Sequence, residues 1–217
     1  MNINHLTVGA IQTNCWIITH PELPQPDDCI VVDPGGDGER ILYRLEKLGL
    51  RPANIVLTHA HFDHIAALPR IAAVYPDAEI AIHQAEAAKL GPDSLELHKH
   101  DLQSAGAPFY IAELSETLPE AAVLLNEGDI IGPFTVFHTP GHSSGSICLY
   151  SNKEKILISG DTIFYGDTGR TDLPGGNREL MTQSLHRLLT LDEDTIVYPG
   201  HGPITNIGKE RRLHLPG

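Results

Sequence analysis

The segment from residue 58 to residue 64 reads THAHFDH and concentrates side chains that bind metal ions. It directly follows the apolar run Ile55-Val56-Leu57, which predicts a buried strand. Alternate residues of an extended segment point to the same side, so His59 and His61 can bind one ion together. The aspartate and the last histidine of the segment stand where a helix begins and can turn toward a second ion. The spacing therefore predicts metal chemistry at the end of a strand.

Three further apolar runs end in a polar residue beside glycine, in the segments TPGHSSGS, LISGDTIF and YPGHGP. A single histidine after a strand is usually a surface or core residue, but four such strand ends in one chain are hard to attribute to chance. Together they supply five imidazoles and two carboxylates, the ligand set for two divalent ions: His59, His61, Asp63, His64, His142, Asp161 and His201. A hydroxide held between two such ions is a strong nucleophile at neutral pH.

The first half of the chain reads as strands that alternate with helices. The pattern of residues 39–50 predicts an amphipathic helix that stops at a glycine, and residues 64–75 predict a helix that Pro69 kinks or shortens. Residues 91–119 predict an excursion over the surface with a helix near residues 94–105. Strands are predicted in CWIIT, CIVVD, NIVLT and EIAIH.

The second half is richer in strands, predicted in GPFTVFHTPG, SICLYS, KILISGD and TIVYPG, with a long helix over residues 177–191. Two β-rich halves that are each closed by helices predict a layered α/β protein. Because no linker separates the halves, we expect a single domain over residues 1–217.

The amino-acid composition and charge argue against some classes of binding partner. The chain has 217 residues, is 41% hydrophobic and carries a formal net charge of −13, which disfavours nucleic acid as a partner. The N-terminal segment lacks the pattern of a secretory signal, and no apolar run approaches the ~18 residues that span a bilayer, so no membrane partner is expected. The cysteines Cys15, Cys29 and Cys148 are scattered and odd in number, which favours buried thiols over disulfides. We expect a cytoplasmic protein.

The four strand-end motifs, in their order along the chain, resemble those of the metallo-β-lactamase superfamily. The resemblance extends from about Val31 to His201 and implies a four-layer αββα sandwich. It implies that His59, His61 and His142 bind one metal, that Asp63, His64 and His201 bind a second, and that Asp161 bridges the two. Asp63 and Asp161 are then the catalytic carboxylates.

The segment VVDPG matches the first motif of the family, and the resemblance implies that Asp33 orients the site from behind the ligands. The alternative is that Asp33 only forms a turn before Pro34. The imidazole-rich ligand set favours zinc for both ions, and iron or manganese is compatible with the same residues.

Within the superfamily the chain looks like short bacterial relatives of glyoxalase II, the hydroxyacylglutathione hydrolases. This implies that a metal-bridging hydroxide attacks a thioester such as S-lactoylglutathione. The C-terminal helical domain of full-length glyoxalase II is not expected here. Arg170 falls at the family's basic position after GDT and could hold a substrate carboxylate; a salt bridge with Asp172 is the alternative.

The sequence leaves two other functions open. The text GRTD at residues 169–172 also resembles the persulfide dioxygenases, in which His59, His142 and Asp161 would bind a single iron. A metal-binding module without catalysis is a third hypothesis, which the complete ligand set disfavours.

Overall fold

The computed structural model of the chain describes residues 1–114 and 117–214. Two residues of the predicted excursion over 91–119, and the last three of the predicted domain over 1–217, lie outside the described residues. The chain divides into a first unit, Met1–Leu125, and a second unit that begins at Asn126.

A mixed sheet organises the first unit, with the strand order β1-β2-β3-β4-β5-β6. The strands are β1 (Asn2–Val8), β2 (Thr13–Thr19), β3 (Asp28–Val32), β4 (Arg51–Val56), β5 (Glu79–His83) and β6 (Val123–Leu125). Strands β3 to β6 pair in parallel, whereas β1 and β2 are antiparallel to their neighbours. The residues that follow β3, β4 and β5 therefore meet at one edge of the sheet, and β2 starts at that same edge.

The helices of the first unit follow the predicted pattern, with one correction. They are α1 (Gly38–Leu48), α2 (Phe62–Ile65), α3 (Leu68–Val74) and α4 (Leu95–Ser104), with 3₁₀ helices at Gln84–Lys89 and Pro108–Glu113. The single helix predicted over residues 64–75 is two helices, because Pro69 lies in the first turn of α3, where its missing N–H is tolerated. Helix α1 ends at Gly49 in a left-handed conformation, as predicted.

Apolar side chains from both kinds of element form the core of the first unit. Ile41 and Leu45 of α1 are fully buried with Val31 of β3 and Ile55 of β4. Burial of such side chains stabilises the unit by about 1.5–3 kcal/mol each. Helix α1 is thus packed on the sheet whose strand β4 leads into the loop 58–64.

The second unit contains a sheet with the strand order β14-β13-β10-β9-β8-β7 and a separate hairpin, β11-β12. The strands are β7 (Ile130–Ile131), β8 (Phe134–His138), β9 (Ile147–Ser151), β10 (Ile156–Gly160), β11 (Ile163–Phe164), β12 (Asp167–Thr168), β13 (Ile196–Pro199) and β14 (Thr205–Asn206). Strand β10 is parallel to β13 and antiparallel to β9, which is itself antiparallel to β8. Strands β8, β10 and β13 therefore run in one direction and end at one edge.

Helices α5 (Arg178–Leu188) and α6 (Ile207–His214) complete the second unit. Leu188 of α5 and Ile207 of α6 are buried in one cluster with Leu157 of β10 and Val197 of β13. Asn177 caps α5 by accepting hydrogen bonds from the backbone of Glu179 and Leu180. None of the helices in the described part of the chain is long and apolar enough to cross a membrane.

Candidate metal centre

The loop after β4 holds its imidazoles in a defined orientation through Asp33. This aspartate follows β3, is 1% exposed, and accepts a 2.9 Å hydrogen bond at Oδ2 from Nδ1 of His64. It also accepts from the backbone N–H and the hydroxyl of Thr58, at 2.8 and 2.7 Å. With its proton on Nδ1, His64 presents Nε2 as a lone-pair donor.

His59 is oriented through the same carboxylate, by way of Thr58. The Thr58 hydroxyl donates to Asp33, so its oxygen accepts from Nδ1 of His59, which lies 3.1 Å away. Nε2 of His59 then faces Nδ1 of His61 at 3.1 Å. The two nitrogens converge on one point, as the alternation of residues 59 and 61 predicts.

Distances between these donor atoms fit a metal ion. Zinc–nitrogen bonds of about 2.0–2.1 Å place two ligand atoms of a tetrahedral ion roughly 3.3–3.4 Å apart. The His59–His61 separation is 3.1 Å, and Nε2 of His64 lies 3.3 Å from Oδ2 of Asp63. Both pairs therefore match the edge of such a coordination polyhedron.

Asp63 has a buried partner that the sequence did not point to. Its Oδ2 accepts a 3.0 Å hydrogen bond from the hydroxyl of Thr13, at the start of β2. The contact arises because β2 begins at the edge where β3 and β4 end. Thr13 thereby restricts the orientation of a predicted ligand.

An aromatic contact joins the predicted surface excursion to this loop. Phe62, between two predicted ligands, stacks on Tyr110 with ring centroids 4.6 Å apart and an interplanar angle of 21°. Tyr110 contacts Phe109, whose side chain is 67% exposed. The excursion therefore borders the ligand loop of its own unit, and its role in substrate choice stays a prediction.

The second unit brings its three predicted ligands to the shared end of β8, β10 and β13. Asp161 directly follows β10, and its Oδ2 lies 3.5 Å from Nε2 of His142 and 3.6 Å from Nε2 of His201. One carboxylate oxygen thus lies near two imidazole nitrogens, each at a separation close to a coordination edge. This placement suits a carboxylate that bridges two ions.

The orientation of His142 depends on the backbone of the GRTD segment. Nδ1 of His142 donates a 2.8 Å hydrogen bond to the carbonyl oxygen of Arg170, which leaves Nε2 for a metal. Gly169 makes this approach possible, because a Cβ there would lie 1.9 Å from the carbonyl oxygen of Asp161 and 3.0 Å from the His142 ring. GRTD therefore has a structural reason to begin with glycine.

We expect Gly169→Ala to lower metal content and to reduce activity by at least about 10-fold, because two ligands must move to admit the methyl group. Metal analysis of the purified protein and a thermal melt measure the two effects. Gly49→Ala is the control: it places a methyl group in open space at a φ of 64°. It should cost about 1–2 kcal/mol of stability and leave the metal content unchanged. Equal metal content in both variants would contradict this account.

Arg170 forms the salt bridge that was its alternative role. Its guanidinium donates two hydrogen bonds of 2.7 Å to Asp172, and both side chains are largely exposed. The hydrogen bonds from Arg170 lower the pKa of Asp172 to about 2. A role of Arg170 in holding substrate remains a prediction, and it would require exchange of this partner.

Burial of the three cysteine side chains argues against a nucleophilic role for them. Cys15, Cys29 and Cys148 are free and buried, and burial raises the pKa of Cys148 to about 11. A thiol in that state is not ionised at neutral pH. We expect Cys148→Ser to keep kcat/KM within about threefold of the original value, measured at saturating metal. An inactive, folded and metal-loaded variant would contradict this prediction.

Sequence reasoning placed the seven predicted ligands and Asp33 at strand ends, and within each unit the structure brings its own members of this set together. It missed Thr13 and Thr58. Thr58 could have been found, because it starts the THAHFDH segment and lies next to a predicted ligand. No nearby motif points to Thr13, because its partner Asp63 is 50 residues away in the sequence.

Comparisons with known proteins show the family to which the chain belongs. The family profile described as "Metallo-beta-lactamase superfamily" matches residues 8–201. The chain is 38% identical to a probable metallo-hydrolase, YqgX, of Bacillus subtilis, over 97% of this chain and 95% of the relative. It is 34% identical to the hydroxyacylglutathione hydrolase GloC of Haemophilus influenzae, over 98% and 96% of the two chains.

Solved structures confirm the predicted fold class. The crystal structure of BLEG-1 B3 metallo-beta-lactamase matches with a TM-score of 0.84 and 37% identity, over 100% of both chains. The crystal structure of TTHA1623 in a di-iron-bound form matches with a TM-score of 0.80 and 34% identity, over 97% of this chain and 98% of the other.

Proposed function

Because the chain belongs to the metallo-β-lactamase superfamily, we propose that it is a hydrolase of hydroxyacyl thioesters, of the glyoxalase II type. The observation that carries this proposal is the 34% identity to a hydroxyacylglutathione hydrolase over nearly the whole length of both chains. The Asp161 carboxylate supports it, since its Oδ2 lies within 3.6 Å of Nε2 of both His142 and His201. The substrate class proposed is a small thioester such as S-lactoylglutathione.

Seven side chains would hold the metal ions. We propose that His59, His61 and His142 bind one divalent ion, that Asp63, His64 and His201 bind a second, and that Asp161 binds both. The imidazole-rich set favours zinc, and iron or manganese accepts the same donors. When bound, such ions lower the pKa of water and polarise a carbonyl oxygen.

The protein's own contribution is to hold the donor atoms in place. Asp33 keeps protons on Nδ1 of His64 and, through Thr58, on Nδ1 of His59. The Arg170 carbonyl does the same for His142. With each Nε2 held as a lone-pair donor, the site needs little reorganisation before the reaction. A thiolate is a good leaving group, so no general acid is required from the chain.

Arg170 is the proposed contact for a carboxylate of the thiol carrier, which would have to replace Asp172 as the partner of the guanidinium. The segment that contains it also positions His142, so a substrate anion bound there would lie near the ligands of the second unit. A cavity of about 500 Å³ beside it is lined by Gly169, Arg170 and Thr171. Such a cavity has room for part of a peptide-like carrier.

The test is steady-state hydrolysis of S-lactoylglutathione by protein purified without chelator and without oxygen. We expect a kcat/KM above about 10⁴ M⁻¹s⁻¹, the lower edge for ordinary enzymes. Protein treated with a chelator should lose this activity and regain it when zinc is added. No turnover by a fully metal-loaded protein would exclude this substrate.

One further candidate has an observation in its favour. The GRTD segment resembles that of persulfide dioxygenases, and a 34% identical protein has been crystallised with iron. Oxygen uptake with glutathione persulfide, on the iron-loaded protein, tests this chemistry. A chromogenic cephalosporin belongs in the same assay series, because BLEG-1 carries the name of a B3 metallo-beta-lactamase.

A cytoplasmic location is also proposed, supported by the three free thiols. Fractionation of the source cells would test it.

A further inference from the structure

Glu86 is a buried carboxylate that neither the motifs nor the proposed mechanism uses. Its side chain is 1% exposed, and burial of a carboxylate is costly unless it makes hydrogen bonds. Its Oε2 accepts a 2.6 Å hydrogen bond from the backbone N–H of Ala60. Ala60 stands between His59 and His61, whose donor nitrogens face each other.

Sheet topology explains how Glu86 reaches this amide. Strands β4 and β5 are parallel neighbours, and Leu57, directly after β4, donates its N–H to the carbonyl of Ala81 in β5. The chain after β4 forms the ligand loop, and the chain after β5 forms the 3₁₀ helix Gln84–Lys89. The two segments therefore leave the same edge side by side.

Further contacts hold the 3₁₀ helix in place. Nδ1 of His83 accepts from the backbone of Ala85 and caps the start of the helix. At its end, the carbonyl of Lys89 accepts from Nε2 of His98, and the Lys89 ammonium lies 2.8 Å from Asp101. Both partners belong to α4, in the excursion whose role the sequence leaves open. The excursion thus supports the helix that carries Glu86.

We propose that Glu86 is a positioning residue for the metal centre. By accepting the Ala60 N–H, it fixes the backbone between His59 and His61 and so keeps their donor nitrogens 3.1 Å apart. The inference rests on the ligand assignment of the proposed function, and it holds for any substrate. Loss of a contact behind metal ligands typically lowers metal affinity by 10–100-fold.

Two substitutions separate the hydrogen bond from the charge. Glu86→Gln removes the charge and keeps an oxygen at the same reach, whereas Glu86→Asp keeps the charge and is one methylene shorter. We expect zinc affinity within about threefold of the original for Glu86→Gln, and a loss of about 10–100-fold for Glu86→Asp. Competition with a chromogenic chelator measures the affinity without any substrate.

A spectroscopic readout and a control complete the test. The visible absorption of the cobalt-loaded protein should change in Glu86→Asp and not in Glu86→Gln, because it reports the ligand geometry. Ser94→Ala is the control: Ser94 is also 1% exposed and donates to the Gly91 carbonyl in the same excursion. It should leave zinc affinity and the spectrum unchanged.

Either of two results would show that Glu86 does not position the metal ligands. Unchanged affinity and spectrum in Glu86→Asp, or an equal loss in Glu86→Gln and Glu86→Asp, would overturn the proposal. Failure of the proposed thioester activity would instead appear as no hydrolysis by the original protein, while Glu86→Asp still showed the expected loss of zinc affinity and Glu86→Gln did not.

Discussion

Asp161→Ala is expected to lower kcat/KM for thioester hydrolysis by about 1,000-fold or more and to reduce the metal content of the purified protein. The Asp161 carboxylate lies within 3.6 Å of Nε2 of both His142 and His201, so its removal takes a donor from two proposed coordination spheres. Loss of charge stabilisation at a reacting centre alone costs about 100–1,000-fold. Loss of an ion would add to this effect.

The fold should survive the substitution, because Asp161 follows β10 and its side chain is not part of the apolar core. Elemental analysis, a thermal melt and initial rates measure the three quantities. Asp194→Ala is the matched control, since this exposed aspartate precedes β13, lies 3.8 Å from the Lys155 ammonium and does not line the proposed substrate cavity. Full activity in a metal-depleted Asp161→Ala protein would refute the proposed mechanism.

Asp33→Asn is expected to weaken metal binding by about 10–100-fold and to destabilise the fold by about 1–3 kcal/mol. Oδ2 of Asp33 accepts from both Thr58 and His64. An amide can keep the hydrogen bond from the Thr58 backbone only by directing its NH₂ group at these two partners. His64 must then accept at Nδ1, which places its proton on Nε2, the atom proposed to bind metal.

Backbone strain does not explain this expected effect. Asp33 has a φ of 52°, and asparagine tolerates that region as well as aspartate does. Asp37→Asn is the control, because Asp37 has a φ of 50° and is exposed beside Arg40. Chelator competition and urea unfolding give the two quantities. Equal metal affinities in the two variants would show that Asp33 only shapes the turn.

The elements that local pattern predicted correctly are those whose evidence lies within a few residues. The amphipathic period of α1 and its terminal Gly49 predicted the helix and its end. An interruption near Pro69 followed from the missing N–H of proline, although the local pattern did not show that it separates two helices. The short strands β7, β11 and β12 carry too few residues for a period to be recognised, and pairing with neighbours defines them.

The order of motifs along the chain by itself determined the superfamily, the candidate ligands, and the strand ends that carry His59, His142, Asp161 and His201. This is possible because a strand followed by glycine and a polar side chain is a local signature. Tertiary structure alone decided which groups stand behind the ligands. Thr13 is 50 residues from Asp63, and Glu86 is 26 residues from Ala60. Such contacts depend on strand order and direction, which bring distant segments to one sheet edge and leave no periodic trace in the residues themselves.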